Sequence, residues 1–375
     1  MSQSTITVEL RRWHTWLTAL VVCMLVAALQ AAAGPVARAA GLTPQQLAGQ
    51  RVIYSYPGLT PPPALLDAIR AGQAAGVIFF GENISSAAQI ADVIGQLRQA
   101  QAQSPIPVPL LLMTDQEGGL VRRLPGEPVL SAKQVGQSAI PVAAAINAGI
   151  GAGRTLRAVG MNVNLAPVLD VYDTPGNFID RYQRSFSNDP AVVASLGLAF
   201  TAAQQTTGVA ATAKHFPGLG TAPGGQNTDT DPVTLPASVS RLRSVDEFPY
   251  PAAISAGVKL VMLSWATYPA LDPDHPAGLS PTIVNQELRG RNHFTGVTIT
   301  DALEAGALNS VGTTAQRATA AAAAGMDLIL CSARDIGQGS DATTALAEAY
   351  TSGQLDPAAF TAAVDRVTAL RTGLP

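Results

Sequence analysis

Residues 110–119 read LLLMTDQEGG: an unbroken apolar run, Leu110–Thr114, passes directly into the acidic, glycine-bearing segment Asp115–Gly119. A run of this length without polar alternation suits a strand buried on both faces, as in a parallel sheet covered by helices. Seven further runs have the same character: Arg51–Tyr54 (RVIY), Gly76–Phe80 (GVIFF), Asn162–Ala166 (NVNLA), Ala210–His215 (AATAKH), Lys259–Ser264 (KLVMLS), Gly296–Thr300 (GVTIT) and Met326–Leu330 (MDLIL). Helical stretches separate them, among them Ser86–Ala100, Ile140–Ala158, Ala191–Thr206, Thr282–Arg289 and Thr313–Ala324. Eight strand–helix repeats predict an α/β fold of the (β/α)8 TIM-barrel type. The competing architecture, a doubly wound open sheet, carries a glycine-rich dinucleotide fingerprint at a helix start. Gly218 and Gly220 do not open a helix, so they do not supply it. No linker divides residues 41–375, which are read as a single domain.

The chain has 375 residues, of which 47% are hydrophobic and 13% charged, enough apolar material for a large core. The net charge of −3 and the lack of a basic stripe argue against a nucleic-acid partner. Residues 1–39 read as a signal peptide: Arg11 and Arg12 form a positive start, Trp16–Ala33 is apolar, and Ala37-Arg38-Ala39 has small residues where a signal peptidase cuts. The apolar run approaches spanning length, so an uncleaved anchor is the alternative. Its alanines and the cleavage pattern favour removal, which predicts an exported protein, secreted or associated with the cell envelope, with no stable membrane span. Cys23 would leave with the signal. Cys331 then stands alone, without a disulfide framework or a cysteine metal site, and is expected to behave as a small buried apolar residue. A monomer is expected.

In a barrel of this type the chemistry sits on loops at the C-terminal ends of the strands. The sequence concentrates its polar residues there: Asp115–Gly119 after strand three, Asp170 after strand four, Lys214 and His215 at the end of strand five, and Asp301 after strand seven. One aspartate after a strand can simply cap the next helix, which is the ordinary reading of Asp301. Four such strand ends on one face point to a ligand site. Lys214 and His215 are costly in an apolar strand unless partnered, either in a structural ion pair or by a ligand's hydroxyls.

At these residues the chain resembles glycoside hydrolase family 3, specifically its single-domain β-N-acetylglucosaminidases. Gly76–Ile84 (GVIFFGENI), Asp115–Arg123 (DQEGGLVRR), Asn162–Val171 (NVNLAPVLDV), Arg184-Ser185-Phe186, Lys214–Gly218 (KHFPG) and Gly296–Asp301 (GVTITD) follow the family's order over nearly all of the mature chain. The resemblance implies Asp301 as the nucleophile of a retaining glycosidase, and Asp115, Arg123, Arg184, Lys214 and His215 as residues binding the sugar. It implies no metal or organic cofactor. Lys214 and Arg184 are expected to help keep Asp301 ionised.

A retaining glycosidase also needs a group to protonate the leaving oxygen. The resemblance places it in an Asp-Ser-His loop after strand five, but Gly220–Asp231 (GTAPGGQNTDTD) contains no histidine. Asn227-Thr228-Asp229 is the best overlay and Asp229-Thr230-Asp231 the next, each with a small insertion. Asp229 or Asp231 could replace the histidine if its surroundings favour the protonated form. Alternatively Glu304 or His275 supplies the proton, or the protein binds sugar with weak or no hydrolysis. Plain β-glucosidases of the family usually carry a second domain, for which no room follows strand eight. Trp265 and Tyr268 could stack on a sugar or pack in the core. Asp170 is expected to support the site. The expectation is therefore an exported β-N-acetylglucosaminidase acting on cell-wall-type glycans, with a β-glucosidase-like hydrolase and a sugar-binding relative as alternatives.

Overall fold

All eight apolar runs form strands: β1 (Val52–Tyr54), β2 (Gly76–Ile78), β3 (Leu111–Thr114), β4 (Val163–Asn164), β5 (Ala210–Phe216), β6 (Leu260–Leu263), β7 (Val297–Thr300) and β8 (Ile329–Leu330). The structure, a computed structural model, describes residues 41–374; the expected signal peptide lies outside them. Each strand pairs in parallel with its neighbours in sequence, and β8 pairs with β1. A parallel bridge between Ile299 and Leu328 joins β7 to the approach of β8 and completes the ring. The fold is a (β/α)8 TIM barrel, as the sequence predicts.

The predicted helices appear at Ala87–Ala102, Pro141–Ala158, Pro190–Gln205, Thr282–Arg291 and Thr314–Ala324. Their starts follow ordinary capping chemistry. Ser86 accepts from the Gln89 N–H, Asp189 from Ala191 and Thr313 from Gln316. Thr282–Arg291 departs from the α form and winds with wider π-type bonding. Pro63–Arg70, Ile336–Thr351 and Pro357–Thr372 add further helices. Among the described residues no helix is long and apolar enough to cross a membrane. Cys331 is fully buried and burial pushes its thiol pKa up, as expected of a packed, unreactive cysteine.

The seam between β7 and β8 is tied by Asp327, which is fully buried. Its Oδ2 accepts from the Thr298 N–H at 2.9 Å and Arg289 Nη2 at 2.6 Å. Its Oδ1 accepts two bonds from Arg366 on the last helix, at 3.0 and 2.8 Å. One carboxylate thus joins strand, π-type helix and C-terminal helix. Asp327→Ala would leave two guanidinium groups and a strand N–H without it. We expect a stability loss of about 3 kcal/mol, read as a lower urea midpoint with an unchanged slope. A midpoint equal to that of the parent would contradict this role.

Candidate active site

Side chains alternate along a strand, so positions two apart face the same way. Ile78 on β2, Leu165 just beyond β4, Met262 on β6 and Leu330 on β8 all line one cavity of about 430 Å³ at the C-terminal mouth of the barrel. They come from alternate strands and form a four-residue layer across the barrel interior, beneath the cavity. The odd-numbered strands supply charge above that floor. Asp115 lies two residues beyond Met113, Asp301 two beyond Ile299, and Lys214 two beyond Thr212. Asp115, Arg123, Arg184, Lys214, His215, Asp229 and Asp301 all line this cavity.

Asp115 leads into a small hairpin in which Gln116–Gly118 pairs antiparallel with Val121–Arg122. Gly118 and Gly119 make its turn with φ of 108° and 56°, which glycine adopts freely. The hairpin returns Arg123 to Asp115, with Nη2 at 3.8 Å from Oδ2. Lys214 Nζ sits 2.7 Å from Asp115 Oδ1 and 2.8 Å from Glu117 Oε1. Arg184 holds Glu117 with two parallel bonds, Nε to Oε2 at 2.9 Å and Nη2 to Oε1 at 2.8 Å. Glu117 and Lys214 are both buried. Burial alone would raise the Glu117 pKa, but Arg184 and Lys214 outweigh it and hold the carboxyl well below the usual range. Burial would lower Lys214, but Asp115 and Glu117 hold it above its ordinary value.

His215 Nδ1 lies 2.7 Å from Asp170 Oδ2. Asp170 is fully buried, and its Oδ1 also accepts the Leu219 N–H at 2.7 Å and the His215 N–H at 3.3 Å. Burial opposes its ionisation, yet His215 and these donors hold its pKa below normal. Arg184 Nη2 approaches His215 Nε2 at 3.4 Å. A guanidinium can only donate, so Nε2 accepts there and the ring proton on Nδ1 faces Asp170. Asp170 therefore orients the imidazole from beneath.

Asp301 ends β7, and its Oδ1 accepts the N–H of Ala302 at 2.7 Å rather than capping a helix. Burial raises its pKa; His215 opposes the rise, the Asp229 carboxylate adds to it, and the Ala302 N–H and Lys214 offset only part. Lys214 acts on Asp301 in the expected direction, but it is engaged by Asp115 and Glu117, and Arg184 by Glu117, and the net shift of Asp301 is upward. Asp229 is solvent-facing on the cavity wall beside Asn227 and Thr228, whereas Asp231 is exposed and outside the lining. Glu304 lines the cavity, but Ser332 Oγ (2.7 Å), Ser332 N–H (3.3 Å) and Gln338 Nε2 (3.2 Å) donate to its carboxylate. His275 is exposed beside Asp272 and lines a different cavity. Trp265 and Tyr268 are buried, with Trp265 Nε1 donating to the Ala302 carbonyl and the Tyr268 hydroxyl to that of Gly218. The aromatic rings that do line the cavity are Phe80, capped by the Arg334 guanidinium at 4.1 Å, and Phe178. Glu117, Phe80 and Arg334 were not singled out by sequence reasoning. Among the described residues no group of three or more His, Cys, Asp or Glu is arranged to hold a metal ion.

Residues 58–370 match the model of the glycosyl hydrolase family 3 N terminal domain. The chain belongs to glycosyl hydrolase family 3. It is 45% identical over 353 residues to an uncharacterized secreted glycosyl hydrolase of Arthroderma benhamiae, which covers 94% of this chain and 99% of that protein. It is 32% identical to beta-hexosaminidase A of Pseudoalteromonas piscicida over 84% of this chain, and spans 56% of that relative's length. Among solved structures, the family 3 β-N-acetylglucosaminidase of Paenibacillus sp. str. FPU-7 superposes with a TM-score of 0.83 at 35% identity, over 89% of this chain and 63% of that one. The β-N-acetylhexosaminidase of Beutenbergia cavernae DSM 12333 gives 0.80 at 33% identity, over 88% and 98%. As a family 3 member this protein is a glycosidase.

The Glu117 clamp predicts a pH-dependent stability difference. A depressed carboxyl contributes stability above its unfolded pKa, near 4.3, and loses it as pH falls toward the folded value. Glu117→Gln should therefore cost about 3 kcal/mol at pH 7, and its deficit against the parent should shrink at pH 3. Denaturant titrations at the two pH values would measure this. An equal deficit at both would show that the charge of Glu117 is not what stabilises the cluster.

Proposed function

We propose that this family 3 glycosidase is an exported, retaining β-N-acetylglucosaminidase acting on cell-wall-type glycans, with Asp301 as nucleophile and Asp229 as acid/base. The observation that carries the reading is the sharing of one cavity by Asp301, Asp229 and the polar set Asp115, Arg123, Arg184, Lys214 and His215. The names of the relatives and superposed structures support the substrate class. Export is supported by the apolar segment before Ala39 and by the name of the fungal relative.

In this reading an Asp301 oxygen attacks the anomeric carbon as the bond to the leaving oxygen breaks, and Asp229 gives that oxygen its proton. Asp229 then takes a proton from water, whose oxygen displaces Asp301 from the anomeric carbon and releases the sugar. Asp115 accepts from sugar hydroxyls and Arg123 donates to them. His215 offers a fixed ring edge, and Arg184 and Lys214 keep the carboxylates of that grip in place. Asp229 is preferred to Asp231 because it faces the cavity, and to Glu304 because the carboxylate of Glu304 is held by Ser332 and Gln338.

The first test is hydrolysis of aryl β-N-acetylglucosaminides and aryl β-glucosides, each with an activated and a poor leaving group. The parent protein should turn over both N-acetylglucosaminides, and Asp301→Asn should turn over neither while still binding the sugar. Turnover of glucosides alone would move the specificity to glucose. Sugar binding without turnover of even the activated compounds would identify a binding protein.

Asp229→Asn has a second signature. It should slow the poor-leaving-group substrate by roughly 10²–10⁴-fold and affect the activated one far less. It also removes a negative charge that raises the Asp301 pKa. Activity falls at low pH as Asp301 protonates, so in this variant the acid limb of kcat/KM should shift to lower pH. A shift upward, or none, would separate the two carboxylates.

A further inference from the structure

The loop bearing Asp229 is joined by its backbone to the segment that follows Asp301. Gly306 N–H donates to the Asp229 carbonyl at 2.8 Å and Ala307 N–H donates to the Thr228 carbonyl at 3.1 Å. These two residues open the 3-10 turn Gly306–Val311, where the first N–H groups have no partner in their own turn. Thr228 is buried at this junction. A β-carbon on Gly306 would lie 2.0 Å from the Thr230 carbonyl oxygen and 2.3 Å from its carbon, so the approach requires glycine.

The other side of the junction is firmly held. Trp265 Nε1 donates to the Ala302 carbonyl at 2.9 Å, Arg317 Nη1 to the Leu303 carbonyl at 3.0 Å, and Leu303 N–H to the Leu330 carbonyl at 3.0 Å. An aspartate has a short side chain, so its usefulness as a proton donor depends on where its backbone is held. We propose that Gly306 and Ala307 are positioning residues that fix the Asp229 carboxyl relative to Asp301. Nucleophile and proton donor are then carried on one connected piece of backbone anchored to β7 and β8. The inference rests on the assignment of Asp229 as the acid.

The test compares Gly306→Ala, Ala307→Pro and Asp229→Asn in the full chain, on activated and poor leaving-group substrates, with thermal unfolding measured in parallel. Ala307→Pro keeps the glycine and removes the N–H that reaches Thr228, so it stands as a separate probe if Gly306→Ala folds poorly. The positioning variants should lose about 10²-fold in kcat/KM on the poor leaving group and less than about threefold on the activated one. Equal losses on both substrates, or none on either, would overturn the proposal. The Asp229→Asn result separates its two layers. If that variant keeps the poor-leaving-group activity, the acid assignment falls and positioning falls with it. If it loses that activity while the other two variants keep theirs, only the positioning role is wrong.

Discussion

A carboxylate wedged between a lysine and an arginine determines what this barrel mouth can hold. Lys214 projects from an apolar strand into a site from which most water is excluded, where an unpaired cation would cost several kcal/mol. Arg184 enters the same space from the loop after β4. Glu117 meets both with short, charge-assisted bonds, and its two oxygens match the two-pronged guanidinium. Once Glu117 has engaged them, Lys214 still reaches Asp115, and Arg184 still reaches the edge of His215. The polar wall is therefore a single network, and each member owes its orientation to the next.

Legibility followed periodicity. The eight strands could be read because each is a short apolar run between helical stretches, and burial on both faces leaves an unambiguous trace in composition. The helices with regular spacing could be read for the same reason. The Asp115–Arg123 hairpin is too short for any period to show, although its paired glycines mark the turn. In the site, residues at strand ends were legible because barrel geometry sends them to the mouth. Glu117 lies inside the LLLMTDQEGG run, where no periodicity distinguishes it from its neighbours. Its signal was indirect, since two cations in apolar surroundings demand more than one counter-charge. Asp229 and Asp231 are alike in sequence and both exposed, and only the folded loop puts one on the cavity wall and the other outside it. The residue type of His275 suits a proton donor, but it sits beside Asp272 and lines a different cavity.

The two carboxylates assigned to the reaction differ in setting. Asp301 sits at the end of a barrel strand, with its position fixed by the strand and by the backbone N–H of Ala302. Asp229 rides on an irregular loop whose order comes from elsewhere in the chain. Placing one group on the scaffold and the other on a loop lets the loop change while the scaffold stays the same.

The layer of Ile78, Leu165, Met262 and Leu330 has a consequence for how a polymer is approached. It seals the cavity from below, so no channel continues down the barrel axis beneath the polar wall. A long chain cannot thread through the barrel and must approach from the side that carries the strand-end loops.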